Sequence, residues 1–239
     1  MTTRAYKRYR VENFPELAIG EEFATNHQPS LALAGGPQSE KHNVITLLGF
    51  SEHMPYYKYH VWHEIDVTGL WRYNNDKIQH LIEIVEMNIY KCPDSDLVYF
   101  KGTRHSRNFL QRLADSSTLN FSAYEREIDL GELTKKLGAK IKGAQFANLE
   151  IENVTTAAIY GDGVADSHDY ERYTNRGDIS FVIIELDLSV TKMSIRLSRD
   201  GTILLYKNQN EREDLTTLVQ IDEYIEPFIL KPDDILVTR

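Results

Sequence analysis

The chain has 239 residues, of which 41% are hydrophobic and 26% are charged. This length is enough for one large domain or two small ones, and the composition is that of a soluble globular protein. The net charge of -9 argues against a general nucleic-acid coat protein, which needs a basic surface, but it is compatible with a local basic groove. Because Cys92 is the only cysteine, an intrachain disulfide and a cysteine-rich zinc site are excluded.

The same features lead us to expect a cytoplasmic protein that has no membrane partner. A single cysteine suits a reducing compartment. No apolar run reaches the roughly 20 residues that a membrane-spanning helix needs. The basic residues near the N-terminus are not followed by the apolar run of a signal peptide.

Residues 1–42 have the least regular pattern, and we predict an irregular N-terminal arm and linker there. Within this stretch, residues 4–11 are predicted to be either a polar edge strand or a basic arm. The turn residues Gly35, Gly36 and Pro37 indicate a loop or linker.

Residues 43–118 mix strand and helix patterns and are predicted to form an α/β-type subdomain. Residues 44–50 form a buried apolar run, and residues 56–66 alternate with a period of two, so both are predicted to be strands. Residues 76–90 carry apolar side chains at helical spacing and are predicted to be an amphipathic helix. A short strand at 97–100 is followed by a helix that Thr103 would cap and that extends through Leu113.

Residues 119–239 are predicted to form an antiparallel sheet subdomain with a C-terminal helix. A helix is expected at 129–137, because Asp129 and Glu132 have the spacing of a capping box and Gly138 follows the last turn. Strands are expected at 141–146, 154–160 and 179–186, the last of them buried on both faces, and the final helix at 211–225. A single domain for the whole chain is also compatible with these patterns.

A β-hairpin at 193–206 is the clearest fold signal in the sequence. Asp200 and Gly201 suit the two central positions of a type I′ turn, both of which need a positive φ. Pairing across such a turn would place Leu197 opposite Leu204 and Ile195 opposite Tyr206. The expected fold class is therefore α+β, with mixed strands and helices in the first half and an antiparallel sheet with a C-terminal helix in the second.

A basic segment at the start of the predicted helix near residue 104 is the first candidate site. The start of a helix carries unpaired N–H donors and the positive end of its dipole, which together favour an anion. We therefore predict phosphate or nucleic-acid binding there, although a solvated surface helix would show the same pattern. The predicted ligand-binding residues are Lys101, Arg104, Arg107 and Arg112. The aromatic residues from Tyr57 to Trp62 could add a stacking surface for bases.

The predicted strand at 56–66 contains a second candidate site. His60, Glu64 and Asp66 fall on one face of this strand, and imidazole with carboxylates can bind a divalent metal or transfer protons. These three residues are the candidate catalytic group of a metal-dependent phosphodiester hydrolase. Only in that case would the protein need a cofactor, Mg²⁺ or Mn²⁺. Their ordinary interpretation is the solvent face of a strand.

The polar stretch 161–177 is the third candidate. Its Asp162, Asp166, His168 and Asp169 could bind a metal ion, although they do not have the spacing of a calcium loop. The stretch is longer than a connector needs to be, which favours recognition of a protein partner as an alternative.

The first hypothesis is a non-enzymatic binding module, one part of a larger assembly, that contacts nucleic acid or another phosphate-bearing ligand through the local basic patch. The second is the metal-dependent hydrolase, and the third is a protein-interaction subunit that acts through residues 161–177.

Overall fold

The computed structural model describes residues 4–27, 42–53, 56–73, 76–93, 95–102, 104–115, 120–137, 140–187, 192–206, 210–230 and 235–236. The fold is rich in strands, whose measured registers are antiparallel, and a helix lies near the C-terminus. No helix of the described part of the chain is long and apolar enough to cross a membrane.

The chain divides into two compact units, each built from separate stretches of sequence. The first unit takes residues 4–10, residues 101–102 and the described residues of 124–236. The second takes the described residues of 11–100 and of 104–123. The domain ranges predicted from the sequence stay a prediction.

The second unit is built on long antiparallel strands. They are β2 (Glu22–His27), β3 (His42–His53), β4 (Tyr56–Tyr73), β5 (Asp76–Lys91) and β6 (Leu97–Lys101), which pair in this order. The predicted alternation of β4 is present from Tyr59 to His63, where Tyr59, Val61 and His63 are buried, but at the start of the strand Tyr57 is 41% exposed and Tyr56 is buried. Aromatic rings fill the core, where Phe14 packs edge-on against Tyr59 with the ring centroids 5.3 Å apart.

The helix predicted at 76–90 is wrong, because these residues form β5. The register pairs β5 with β4 over most of its length, from Tyr57 opposite Lys91 to Tyr73 opposite Asp76. Isoleucine and valine in this stretch have β-branched side chains that favour a strand, and the neighbouring strand satisfies the backbone N–H and C=O groups. Val85 and Ile89 of the helical pattern also lie at even spacing, and with Met87 between them they form one face of a strand.

Helix α1 (Ser106–Ala114) follows β6 and packs a narrow apolar stripe into the second unit. Ser106, Phe109, Leu110 and Leu113 are its buried residues, at the spacing of one helix face. The N-cap residue is His105, and its side chain makes no capping hydrogen bond. The predicted cap, Thr103, lies outside the described residues and two positions before the observed N-cap, so the helix begins later than expected.

The first unit is also a sheet with helices. Its strands are β1 (Arg4–Glu12), which continues into the second unit at Val11, β7 (Ser122–Glu125), β8 (Ile141–Ala147), β9 (Ala157–Tyr160), β10 (Asp178–Asp187), β11 (Lys192–Ser198), β12 (Thr202–Leu205) and β13 (Ile235–Leu236). The strand order is β1-β12-β11-β10-β8-β9, and β7 pairs with β1 and β13. Strand β10 was predicted to be buried on both faces. The apolar residues of one face are buried, whereas Ser180 and Ile183 are only half-buried.

Three helices belong to the first unit. They are α2 (Leu130–Leu137), α3 (His168–Thr174) and α4 (Glu211–Ile225). Asp129 caps α2 as predicted, since its Oδ1 accepts a hydrogen bond from the N–H of Glu132 at 2.9 Å; Gly138, predicted to follow this helix, lies outside the described residues. Asn210 begins α4 with a complete capping box.

The hairpin of β11 and β12 is confirmed, but its turn and its register differ from the prediction. Leu197 lies opposite Ile203, and Ile195 lies opposite Leu205. The N–H of Gly201 donates to the carbonyl of Ser198, and Gly201 alone in this turn has a positive φ, of 79°. This is a three-residue connection, a type I turn closed by a left-handed glycine, and not the type I′ turn. The extra loop residue shifts β12 by one position, so Ile203 and Leu205 enter the core.

Strand β1 differs from the predicted edge strand or basic arm, because it is an interior strand of the first unit. Its backbone pairs with β12 from Arg4 opposite Leu205 to Lys7 opposite Thr202, and the carbonyl of Ala5 accepts from the N–H of Gly102. Tyr6, Lys7, Arg8 and Tyr9 are all buried.

Two arginines of β1 pair with acidic side chains of α4 and with Glu226, the residue that follows this helix. The Arg4 guanidinium lies 3.0 Å from the Asp214 carboxylate, and Arg8 lies 3.1 Å from Asp222 and 3.0 Å from Glu226. Four residues of strand rise about 13 Å at about 3.3 Å each, and eight residues of helix rise about 12 Å at about 1.5 Å each. The charged positions of the strand and of the helix are therefore spaced to match.

Candidate functional site

Helix α1 carries a second stripe beside its buried one, and this stripe lines a cavity. Asn108, Gln111, Arg112 and Asp115 follow the i, i+3, i+4, i+7 spacing of one helix face. Together with His63 and Ile65 of β4, they line a cavity of about 230 Å³ within the second unit, and this cavity is open to solvent. Five of the six lining side chains are polar or charged, so the cavity is suited to a polar ligand.

His63 is the feature of this cavity that packing does not explain. The side chain is 0% exposed, and its ring packs edge-on against Phe109 with the centroids 5.9 Å apart. Neither ring nitrogen is hydrogen-bonded to any group of the described residues. A buried polar group without a partner is costly, so the two ring nitrogens of His63 lower the stability of the packing between α1 and β4.

The cavity keeps His63 in its neutral form. Burial lowers the pKa of His63 to about 4, and the positive charge of Arg112 and the neighbouring His105 lower it further in the same direction. At neutral pH the imidazole therefore offers one N–H donor and one nitrogen acceptor.

Arg112 is held in place beside His63. One of its terminal nitrogens donates to the backbone carbonyl of Glu64 on β4. A guanidinium has five N–H donors, so this one bond leaves donors that could face a ligand in the cavity.

The four predicted ligand-binding residues do not form one group around the start of the helix. Arg104 precedes the N-cap and Arg107 is the second residue of α1, and both are exposed. Arg112 lies in the last turn and lines the cavity. Lys101 belongs to the first unit, where its Nζ lies 3.2 Å from the Glu211 carboxylate.

The predicted catalytic group on β4 is only partly described. The Nδ1 of His60 lies 2.9 Å from the Oδ1 of Asn88, and its Nε2 lies 3.7 Å from Glu86. Glu64 is half-buried on the same strand face, and the side chain of Asp66 lies outside the described residues. Within the described ranges, no group of three or more His, Cys, Asp or Glu side chains is placed to hold a metal ion.

The predicted metal ligands of residues 161–177 are separated by local structure. Asp162 pairs with Lys142 at 2.5 Å, which lowers the pKa of its carboxyl group. Asp166 ends a 3₁₀ turn, whereas His168 and Asp169 begin α3. The stretch was predicted as a long polar loop, but a helix capped by Ser167 occupies its centre.

The rings of the predicted aromatic stacking surface are not exposed together. Tyr57 is 41% exposed, whereas Tyr59 is buried, and the ring of Trp62 packs edge-on against His60 with the centroids 4.6 Å apart.

His63 was not predicted as a site residue, and neither were Asn108, Gln111 and Asp115. One signal was present, since His63 is a lone polar residue on the apolar face of a predicted strand. The cavity itself depends on where α1 packs against β4, and the sequence patterns of α1 and β4 do not specify this position. No protein-family model matches this chain, and no curated protein matches its sequence.

Proposed function

We propose that the protein is a cytoplasmic binding module, one part of a larger assembly, that contacts nucleic acid or another phosphate-bearing ligand at α1. The observation that carries the proposal is the pair of exposed arginines, Arg104 and Arg107, at the start of this helix. The two guanidinium groups and the positive end of the helix dipole both favour binding of an anion at the start of α1.

The first turns of the other described α-helices contain acidic residues, whereas that of α1 contains none. The first turn of α1 contains no acidic residue, whereas that of α4 contains Glu211, Glu213 and Asp214. Glu132 lies in the first turn of α2, and Asp169 and Glu171 lie in that of α3. In a chain with a net charge of -9, α1 is therefore the helix start best suited to a phosphate.

The arginines are also close to the cavity along the helix. Arg107 precedes Gln111 by four residues, so the two side chains are neighbours on the helix surface. Gln111 lines the cavity. A ligand with its phosphate at Arg107 could therefore extend a second group into the cavity.

A binding module has more support than the hydrolase. His60 is engaged by Asn88, and the described carboxylates do not converge with it on one point. Metal-dependent hydrolysis needs such convergence, because the ion must contact several ligands at once.

The test compares Arg107→Ala with Arg212→Ala. Both residues are the second residue of a helix, but Arg212 lies among the acidic residues of α4. A labelled single-stranded oligonucleotide is titrated with the wild type and each variant at two salt concentrations. We expect Arg107→Ala to weaken binding and to reduce the log–log salt slope by roughly 0.7, the value for one phosphate contact on a single strand, and Arg212→Ala to leave both unchanged.

Combining Arg104→Ala with Arg107→Ala should weaken binding further and reduce the slope by roughly twice as much. Equal affinities and slopes for the wild type and this double variant would remove α1 from the binding surface. Absence of binding by the wild type at low salt would end the nucleic-acid hypothesis.

A further inference from the structure

The sheet of the first unit has a buried face and a half-exposed face. Side chains alternate along each strand, and Val182, Ile195 and Leu205 on the buried face are 0% exposed. On the other face, Ile183 and Leu204 are only half-buried. The chemistry of this second face decides what kind of partner it suits.

A row of directly paired residues crosses the half-exposed face. The registers place Tyr160 of β9 opposite Gly143 of β8, Gly143 opposite Ile183 of β10, Ile183 opposite Arg196 of β11, and Arg196 opposite Leu204 of β12. We refer to these five residues as the outer row. The ring of Tyr160 lies over Gly143, where a Cβ would be 2.8 Å from its Cδ1, and Tyr160 is 61% exposed. An apolar ring is therefore accessible at one end of the row.

Arg196 is the charged residue of the outer row, and it has no acidic partner among the described residues. Its guanidinium stacks on Phe181 of β10, with Cζ 4.1 Å from the ring centroid. No described group accepts a hydrogen bond from this guanidinium, and Nε is the one nitrogen of it that is buried. The terminal nitrogens Nη1 and Nη2 therefore reach solvent, where a ligand can contact them.

Other cations of the same sheet are neutralised by acidic side chains. Lys7 of β1 pairs with Asp200, Lys142 of β8 pairs with Asp162, and Lys192 of β11 pairs with Glu185. In a chain with a net charge of -9, a cation without such a partner on an apolar face is complementary to an acidic group from another molecule. Because stacking on Phe181 orients the guanidinium plane, the two terminal nitrogens of Arg196 form a fork suited to a carboxylate.

The neighbours of Arg196 favour a protein partner over nucleic acid. Nucleic-acid interfaces are strongly positive, whereas the residues on either side of Arg196 in the row, Ile183 and Leu204, are aliphatic. Glu185 lies two residues beyond Ile183 and therefore on the same face of β10. An apolar patch that contains an arginine and an exposed tyrosine has the composition of a protein interface.

We propose that the outer row binds an extended acidic segment of a protein partner, with a glutamate or aspartate carboxylate on Arg196 and an apolar side chain on Tyr160. Three strand spacings separate β9 from β11, which is about 14 Å at about 4.8 Å each. Four residues of an extended chain rise about 13 Å. The carboxylate and the apolar side chain therefore lie four positions apart in the partner, on one face of its chain. This proposal goes beyond the proposed function, because the outer row belongs to the first unit and α1 to the second.

A seven-residue peptide tests this arrangement. Threonine alternates in it with leucine, valine and glutamate, in that order, and a control peptide has glutamine in place of the glutamate. Each peptide is titrated into the isotopically labelled full chain, and the side-chain Nε–H signal of Arg196 reports contact with the guanidinium by NMR. We expect the glutamate peptide to shift this signal and to bind roughly tenfold more tightly than the glutamine peptide.

Variants separate the charge from the apolar contact. Arg196→Met keeps an unbranched side chain over Phe181 but removes the charge, so it should bind the two peptides equally. Arg176→Met makes the same substitution at an exposed arginine of the same unit and should keep the wild-type preference. Tyr160→Thr should weaken binding of both peptides and keep the preference, because Tyr160 contacts the apolar side chain.

Circular dichroism of each variant checks that the fold is retained. If Arg196→Met does not fold, Arg196→Lys decides the outcome, because lysine keeps the charge but lacks the fork and should reduce the preference for glutamate.

The outcomes decide between a protein partner and the alternatives. Equal binding of the two peptides by the wild type, or no binding of either at millimolar concentration, would overturn the proposal. A preference for glutamate that a folded Arg196→Met retains would also overturn it. If a single-stranded oligonucleotide shifts the Arg196 signal and the glutamate peptide does not, the row binds nucleic acid instead. Arg107→Ala should change binding of neither peptide, so a failure of the proposed function at α1 is distinguishable from a failure here.

Discussion

Acid should destabilise the fold through His63, and His63→Phe should remove this effect. The pKa of His63 is 6.5 in an unfolded chain and about 4 in the fold, where burial and the charge of Arg112 disfavour the imidazolium. Between these two values the unfolded chain binds more protons than the folded one. The contribution of His63 to stability is therefore fully present above about pH 6.5 and is lost as the pH falls towards 4.

The size of the effect follows from the shift in pKa. Each pKa unit corresponds to about 1.4 kcal/mol, so lowering the pH from 7 to 4 should cost the wild type about 3 kcal/mol through this residue. About half of this loss should already be present near pH 5.5. Phenylalanine cannot take up a proton, and it also removes two unpartnered buried nitrogens, so the variant should be at least as stable as the wild type at pH 7.

Urea unfolding of the two proteins at pH 7, 5.5 and 4 measures this difference. The other titrating groups are common to both proteins, so the difference between their free energies of unfolding isolates His63. A direct titration of the His63 ring protons by NMR should give a pKa of about 4. The reasoning is refuted if the two free energies fall in parallel with pH or if the NMR pKa lies near 6.5.

Two further predictions concern the first unit. Arg8→Ala should lower the free energy of unfolding by about 3 kcal/mol, because it removes a fully buried side chain that pairs with α4. Removing the side chain of the half-exposed Arg199 should lower it by less than about 1 kcal/mol. Similar losses for the two variants in thermal or urea unfolding would contradict the buried role of β1. Gly163→Ala should lower the free energy of unfolding by about 1 kcal/mol, because this position has a left-handed backbone. Gly201→Ala should lower it more, because its Cβ would also lie 2.8 Å from the carbonyl oxygen of Arg126. Equal melting temperatures for the two variants would argue against the observed turn.

Local signals in the sequence were sufficient for several elements. The final helix was predicted at residues 211–225, and its start is marked in the structure by Asn210 and Glu213, which form a local capping box. The two faces of β4 between Tyr59 and His63 follow from the alternation of the sequence. In each case the residues that decide the structure are neighbours in sequence.

The helix predicted at 76–90 shows where such signals are ambiguous. Apolar residues at helical spacing also occur in a strand when further apolar residues lie between them, as Ile84 does in β5. Only pairing with β4, which is formed by a different stretch of chain, decides between the two.

The sequence by itself determined that the chain would contain a hairpin near Gly201, a C-terminal helix and a basic start to α1. These features depend on residues a few positions apart, whose φ preferences and capping bonds act locally. Only the tertiary structure decided that the basic N-terminal residues lie inside a sheet, because the acidic residues that neutralise Arg4 and Arg8 are more than two hundred positions away. The same holds for the cavity, since His63 gains its neutral, unpartnered state from the packing of α1 against β4.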